Sequence, residues 1–253
     1  MTTSNRRLIG LSSKMYFSLD KTSTYTSALL TALSSLPSPP PVDIFLIPDF
    51  VTLVPTAQQL REARSDVWLG AQDTHWEDHG AYTGEVSPTV LRDVGVKIVE
   101  VGHAERRRLF GEDDDITAKK AAAVARNDMV PLVCIGEETE GDVRVAVDEV
   151  QVQVDAVMAA VDAAADVVLA YEPVWAIGAS QPAGEEHILS VVAGIRNLDS
   201  VKNRPGSTRI VYGGSAGPGL FERLSSGVDG LFLGRFGHDV AQFVRTVKEV
   251  IDA

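Results

Sequence analysis

The sequence predicts an α/β protein, a single domain over residues 1–253 built as a closed (β/α)8 barrel. Three observations predict it. Eight short apolar runs recur along the chain at roughly 30 residues per unit, with helical or loop segments between them. Most of these runs are β-branched and apolar throughout rather than alternating, as a parallel sheet covered on both faces requires. No GxGxxG opens a helix after the first run, which weakens the rival architecture, an open doubly wound sheet.

The strands are expected at Leu8–Leu11, Val42–Ile47, Val67–Ala71, Lys97–Val101, Val130–Ile135, Val167–Tyr171, Arg209–Tyr212 and Gly230–Leu233. The clearest helices between them are Asp113–Asn127, Val143–Ala164, Gly184–Leu198 and Val240–Ile251. Ser34–Pro41, SSLPSPPP, is short and proline-rich, and reads as a stiff connector between helix and strand rather than a domain boundary.

The chain of 253 residues carries a formal charge of -12. That balance disfavours nucleic acid and anionic membrane surfaces as partners, and an anionic substrate needs a local positive site. The single cysteine, Cys134, lies in an apolar run and reads as a buried structural thiol. MTTSNRR at the start has no apolar core of a signal peptide, and no run reaches membrane-spanning length, so a cytoplasmic location is expected.

In such a barrel the chemistry belongs at the C-terminal ends of the strands. The sixth strand ends at a lone acid, Glu172, because Pro173 cannot extend a ladder. Val174, Trp175, Ala176 and Ile177 follow where a polar loop is usual, and Gly178, Ala179 and Ser180 are small enough for a hinge. The stretch reads as a lid that shuts beside the acid, expels water and raises its pKa toward that of a general base.

Other strand ends carry further candidates. After the first come Ser12, Ser13 and Lys14, a lysine that reads either as an anion-binding group or as a surface residue. The third is followed by a long polar loop, Gln72 to Ser87, suited to function or to subunit contact. His75 and His79 are four apart, but no HExxH and no cysteine partner accompany them, so no metal is expected. After the fourth, Gly102 and His103 place an imidazole where it can polarise a carbonyl, with Glu105 and Arg107 close by. Gly213-Gly214-Ser215 and Gly234-Arg235 follow the seventh and eighth strands. Open backbone N–H groups there suit a phosphate, although glycine also serves any tight turn.

Taken together and in order, Lys14-Met15, Gly80–Glu85 (GAYTGE), Gly102–Arg107 (GHAERR), Cys134–Glu137 (CIGE), Tyr171–Gly178 (YEPVWAIG) and Tyr212–Ser215 (YGGS) resemble the triosephosphate isomerase family along nearly the whole chain. The resemblance implies a TIM barrel in which Glu172 is the general base, His103 a neutral electrophile and Lys14 the cation that holds substrate. It implies that Glu105 supports Lys14, and that the backbone around Gly178, Ser215 and Gly234 grips a phosphate. It further implies a cofactor-free enzyme of central carbohydrate metabolism, and a homodimer through the 72–87 loop. Thr83 would then reach the neighbouring site, and Arg107 would pair with an acid of the partner.

The departures are Ser12 for the family's asparagine, Ser13 for tryptophan, Ala104 for serine, Ser180–Ala183 for the usual end of the sixth loop, and Arg235 for the second glycine. Ser12, the His75-Trp76 pair and Gly230–Arg235 are similar to a branch that isomerises four-carbon ketose phosphates such as erythrulose phosphate; the smaller residue 12 makes room for one more carbon. The expected reaction is interconversion of dihydroxyacetone phosphate and glyceraldehyde 3-phosphate through an enediolate. A tetrulose-phosphate isomerase and a non-catalytic phosphosugar-binding paralogue are the alternatives.

Overall fold

A computed structural model describes residues 6–177 and 183–253. Eight parallel strands close into a barrel in chain order: β1 (Leu8–Ser12), β2 (Asp43–Ile47), β3 (Trp68–Ala71), β4 (Ile98–Val101), β5 (Val130–Ile135), β6 (Val167–Tyr171), β7 (Thr208–Tyr212) and β8 (Gly230–Leu233). β8 pairs back onto β1, from Leu8 opposite Gly230 to Leu11 opposite Leu233, and this closure removes the sheet edge. Every expected strand falls on an observed one, with its ends displaced by a residue at most.

The helices are α1 (Leu19–Leu33), α2 (Leu53–Glu62), α3 (Pro88–Val94), α4 (Ala104–Phe110), α5 (Asp114–Arg126), α6 (Val143–Ala160), α7 (Glu185–Asn197), α8 (Asp199–Lys202), α9 (Phe221–Leu224) and α10 (Val240–Asp252). Side-chain oxygens of Asp113, Asp142 and Asp239 accept backbone N–H groups of the first turns and start α5, α6 and α10. α6 is shorter than the expected Val143–Ala164. The Asp162 side chain accepts from Ala164 N at 2.8 Å, and this local turn overrides the helix propensity of the alanines.

The strands are apolar on both faces because two cores meet there. Leu8, Phe45, Ile98, Leu132, Val168 and Phe232 point inward and fill the barrel. Ile9, Leu11, Val99, Val101 and Leu169 point outward and pack with Leu29, Val124, Val154, Ile188 and Phe243 of the helices. Continuing the inward alternation toward the strand ends brings Ser12, Glu100 and Glu172 to the floor and wall of the open end. Among the described residues no helix is long and apolar enough to cross a membrane.

The long loop after β3 is anchored to the next unit by ions. Lys120 of α5 is buried, with Nζ 2.7 Å from Asp73 Oδ2 and 2.6 Å from Glu112 Oε1. Arg106 of α4 adds a second cation, 3.1 Å from Asp73 and 2.5 Å from Glu112. Further along the loop, Arg126 donates to Asp78 and to Trp76 O, and Asn127 to Asp78. Lys120→Met is expected to cost about 3 kcal/mol, because it strands two carboxylates in a site that Arg106 alone must then neutralise. Urea denaturation checks this, and an unchanged midpoint with unchanged slope contradicts it.

Candidate active site

Three side chains from three strand ends converge. Lys14 follows β1 with its backbone in the left-handed region, φ 47°, a conformation costly for a residue with a Cβ. Two contacts hold it there: Gln72 Nε2 donates to Lys14 O at 2.8 Å, and Nζ lies 2.9 Å from Glu105 Oε1. Burial lowers the ammonium pKa, but hydrogen bonding and charge from Glu105, then the charges of Glu172 and Glu100, outweigh it and raise it.

His103 caps the N-terminus of α4, and its Nδ1 accepts the Glu105 backbone N–H at 3.1 Å. An accepting Nδ1 fixes the neutral tautomer, with the proton on Nε2. Burial first, and the neighbouring Lys14 second, push the imidazolium pKa down to about 4. Nε2 stands 3.3 Å from Lys14 Nζ and 3.5 Å from Glu172 Oε2. Two donors so close are aimed at one acceptor, and a substrate oxygen is the natural candidate.

Glu172 ends β6 with 6% of its surface exposed. Burial lifts its pKa to about 7 against the pull of Lys14, with Glu105 adding to the rise. Two glycines make this placement possible. A Cβ on Gly213 would lie 2.2 Å from Glu172 Oε1, and one on Gly136 would lie 1.9 Å from the Glu172 carbonyl oxygen.

These groups line a cavity of about 320 Å³, a size suited to a small molecule. Its other wall is made by Gly213, Ser215, Gly234 and Arg235 at the ends of β7 and β8, with Ile177 at the rim. Ser215 is left-handed, φ 54°, and donates to Ala176 O at 3.3 Å, which ties the loop after β7 to the one after β6. A larger recess of about 540 Å³ opens near Arg6, Trp68 and Lys97. It lies at the N-terminal ends of the strands, far from the converging acid and imidazole, and β-barrel enzymes of this type do not work there.

Ser12, Lys14, His103, Glu105, Glu172, Ser215, Gly234 and Arg235 thus all line one cavity. Gly178 and Ser180–Pro182 lie outside the described residues. Thr83 is exposed at the tip of the 72–87 loop and does not line the cavity of its own chain. Arg107 donates to Gly102 O at 2.8 Å and pairs with Asp114 of the same chain, while its buried Nη2 finds no acceptor among the described residues.

Sequence reasoning missed Arg106, whose partners Asp73 and Glu112 are described above. It also gave Glu137 no role beyond its motif. Glu137 is fully buried and accepts from Tyr171 Oη, Trp175 Nε1 and His187 Nε2 at 3.2, 3.0 and 2.9 Å, anchoring the segment after Glu172. Its donors lie 34 to 50 residues further along the chain, so only its place in CIGE pointed to it.

Barrel and cavity together suit an isomerase that moves a proton between adjacent carbons of a small substrate. Comparison with known proteins agrees. The model of the triosephosphate isomerase family matches residues 7–250. The chain is 45% identical over 252 residues to L-erythrulose-1-phosphate isomerase of Pectobacterium atrosepticum, covering 97% of this chain and 96% of that protein. It is 39% identical over 250 residues to the enzyme of the same name from Rhizobium etli, covering 96% and 91%. Triosephosphate isomerase of Moorella thermoacetica is 36% identical over 227 residues, covering 87% and 90%. The chain belongs to the triosephosphate isomerase family. The two higher of these identities are to proteins named for the four-carbon substrate rather than for the triose.

Gly213→Ala is expected to displace the Glu172 carboxylate and lower kcat by about 100-fold, the scale of an ångström-size misplacement. Steady-state kinetics with circular dichroism checks this; wild-type kcat in the folded variant contradicts it.

Proposed function

We propose that this protein isomerises L-erythrulose 1-phosphate through an enediolate, with Glu172 as base and His103 and Lys14 as oxyanion partners. The observation that carries the mechanism is the convergence of those three groups on one cavity, with Glu172 near neutrality and His103 uncharged. The four-carbon substrate is supported by the relatives that bear its name, and by Ser12, whose short side chain leaves room at the cavity floor.

The substrate's structure dictates the direction of the chemistry. The carbonyl of a 1-phosphorylated 2-ketose is flanked by C1, which carries the phosphate, and C3, which carries a hydroxyl. Only across C2 and C3 can carbonyl and hydroxyl exchange places, because the C1 oxygen is held in the phosphate ester while C3 carries a free hydroxyl. With the phosphate on the loops around Ser215, Gly234 and Arg235, Glu172 removes the C3 proton. His103 Nε2–H and the Lys14 ammonium stabilise the charge that develops on the oxygens. Returning the proton to C2 moves the carbonyl to C3, and the product, numbered from its other end, is an erythrulose 4-phosphate. The same steps on dihydroxyacetone phosphate give an aldose, so slower triose turnover is expected beside the tetrulose reaction.

The pH dependence follows from Glu172. A base must be ionised to accept a proton, so kcat/KM should fall about tenfold per unit as pH drops below the Glu172 pKa of about 7. Glu172→Gln is expected to lower kcat/KM for L-erythrulose 1-phosphate by about 1000-fold with the barrel intact. Comparable activity in the variant sinks the assigned base.

The working unit is proposed to be a homodimer. Met15 is 90% and Tyr16 62% exposed beside the cavity, and Thr83 sits at an exposed loop tip. A partner's loop laid across this face covers the apolar surface. Sedimentation should give twice the 27.1 kDa chain mass, and Thr83→Arg should shift it toward the single chain. A monomer at the concentrations of the assay contradicts the dimer.

A further inference from the structure

Glu100 takes no part in the proton transfer, yet it occupies an expensive position. It is the inward-facing residue of β4 above Ile98, 3% exposed, opposite Leu132 of β5 in the ladder. Its Oε2 has no hydrogen-bond partner among the described residues. A carboxyl in a barrel interior costs stability unless something offsets it, and an apolar residue would pack there without that cost.

The groups facing it come from four elements: Ser12 on β1 and Lys14 just after it, Cys134 on β5, Glu172 after β6, and Glu105 on α4. Ser12 is the informative neighbour. Its hydroxyl is buried, lies against Glu100 without a well-formed hydrogen bond, and lines the substrate cavity. Ser12 Oγ at the cavity floor and Glu100 Oε2 behind it are thus both buried without a well-formed hydrogen bond among the described residues.

We propose that Glu100 is a positioning residue for specificity: it orients the Ser12 hydroxyl into the cavity, where that hydroxyl engages the hydroxymethyl group a four-carbon substrate carries beyond the reacting carbons. The inference rests on the proposed substrate. It explains why a carboxyl is needed rather than an apolar side chain. Burial first, and the Glu172 charge second, raise the Glu100 pKa to about 8, against the opposing pull of Lys14 and Ser12; Glu105 adds to the rise. At neutral pH the group is therefore a carboxylic acid, able to donate one hydrogen bond and accept another. Its O–H satisfies Ser12 Oγ and frees the serine proton for the substrate. Once ionised, Glu100 can only accept, and it adds a negative charge beneath the enediolate. Above the Glu100 pKa the pair is reversed and activity should decline.

Glu100→Val, Glu100→Gln, Ser12→Ala and the Val/Ala double variant test this, with kcat and KM measured on L-erythrulose 1-phosphate and on dihydroxyacetone phosphate from pH 6 to pH 10, roughly the span of both carboxyl pKa values. Glu100→Val should lower the tetrulose-to-triose ratio of kcat/KM by about tenfold, mainly through KM, as expected when a substrate hydroxyl loses its partner. Glu100→Gln, which keeps a donor and an acceptor, should restore most of that ratio and abolish the alkaline decline. Adding Ser12→Ala to Glu100→Val should change the ratio little further, since the two act as a unit. A ratio unchanged in Glu100→Val, or an alkaline limb unchanged in Glu100→Gln, overturns the role of Glu100. A wild type that converts the triose but not the tetrulose overturns the substrate assignment instead. Thermal unfolding of each variant confirms that the barrel is retained.

Discussion

The structure depends on keeping one carboxylate out of water and still able to ionise. Glu172 achieves this by burial on a strand end, with a cation and a neutral imidazole as its near neighbours. Burial alone would leave it permanently protonated; full pairing with Lys14 would leave it a weak base. The Lys14 ammonium is instead paired to Glu105, so its pull on Glu172 is felt through space and only partly cancels the desolvation. The result is a carboxyl group whose pKa lies near 7, as the proposed base requires.

Much of the surrounding architecture serves that placement. Gly136 and Gly213 clear the volume the acid occupies. Glu137 gathers Tyr171, Trp175 and His187, and so fixes the chain on both sides of Glu172. Gln72 and Glu105 hold Lys14 in a backbone conformation it would not adopt alone. Gln72 opens the long third loop, which Lys120 and Arg106 tie to the fourth unit through Asp73. A rigid loop and a rigid lysine are therefore two ends of one construction.

The strands were legible because a barrel strand is buried on both faces, and a run such as Val167–Tyr171 has no polar residue to confuse the reading. The same property hid Glu100. In Ile98–Val101 both faces are apolar, so periodicity cannot say that the glutamate points into the barrel rather than toward a helix. Glu172, His103 and Lys14 could be singled out because each lies within two residues of a strand end, where side-chain direction is restricted. Arg106 and Arg107 show the opposite case. They are adjacent on α4 and alike in chemistry, and only the helix rotation decides that Arg106 joins the buried ions while Arg107 turns to Asp114. The end of α6 was misplaced because the alanines after it favour helix, and the competing Asp162 turn is a matter of geometry.

The central claim is proton transfer between C2 and C3 of a four-carbon ketose phosphate by Glu172. Proton NMR in D2O, following L-erythrulose 1-phosphate beside dihydroxyacetone phosphate, tests it most directly. The account predicts an erythrulose 4-phosphate carrying deuterium at the carbon that received the returned proton, formed faster than the triose is converted. Rapid triose conversion with the tetrulose left intact and unexchanged would contradict it.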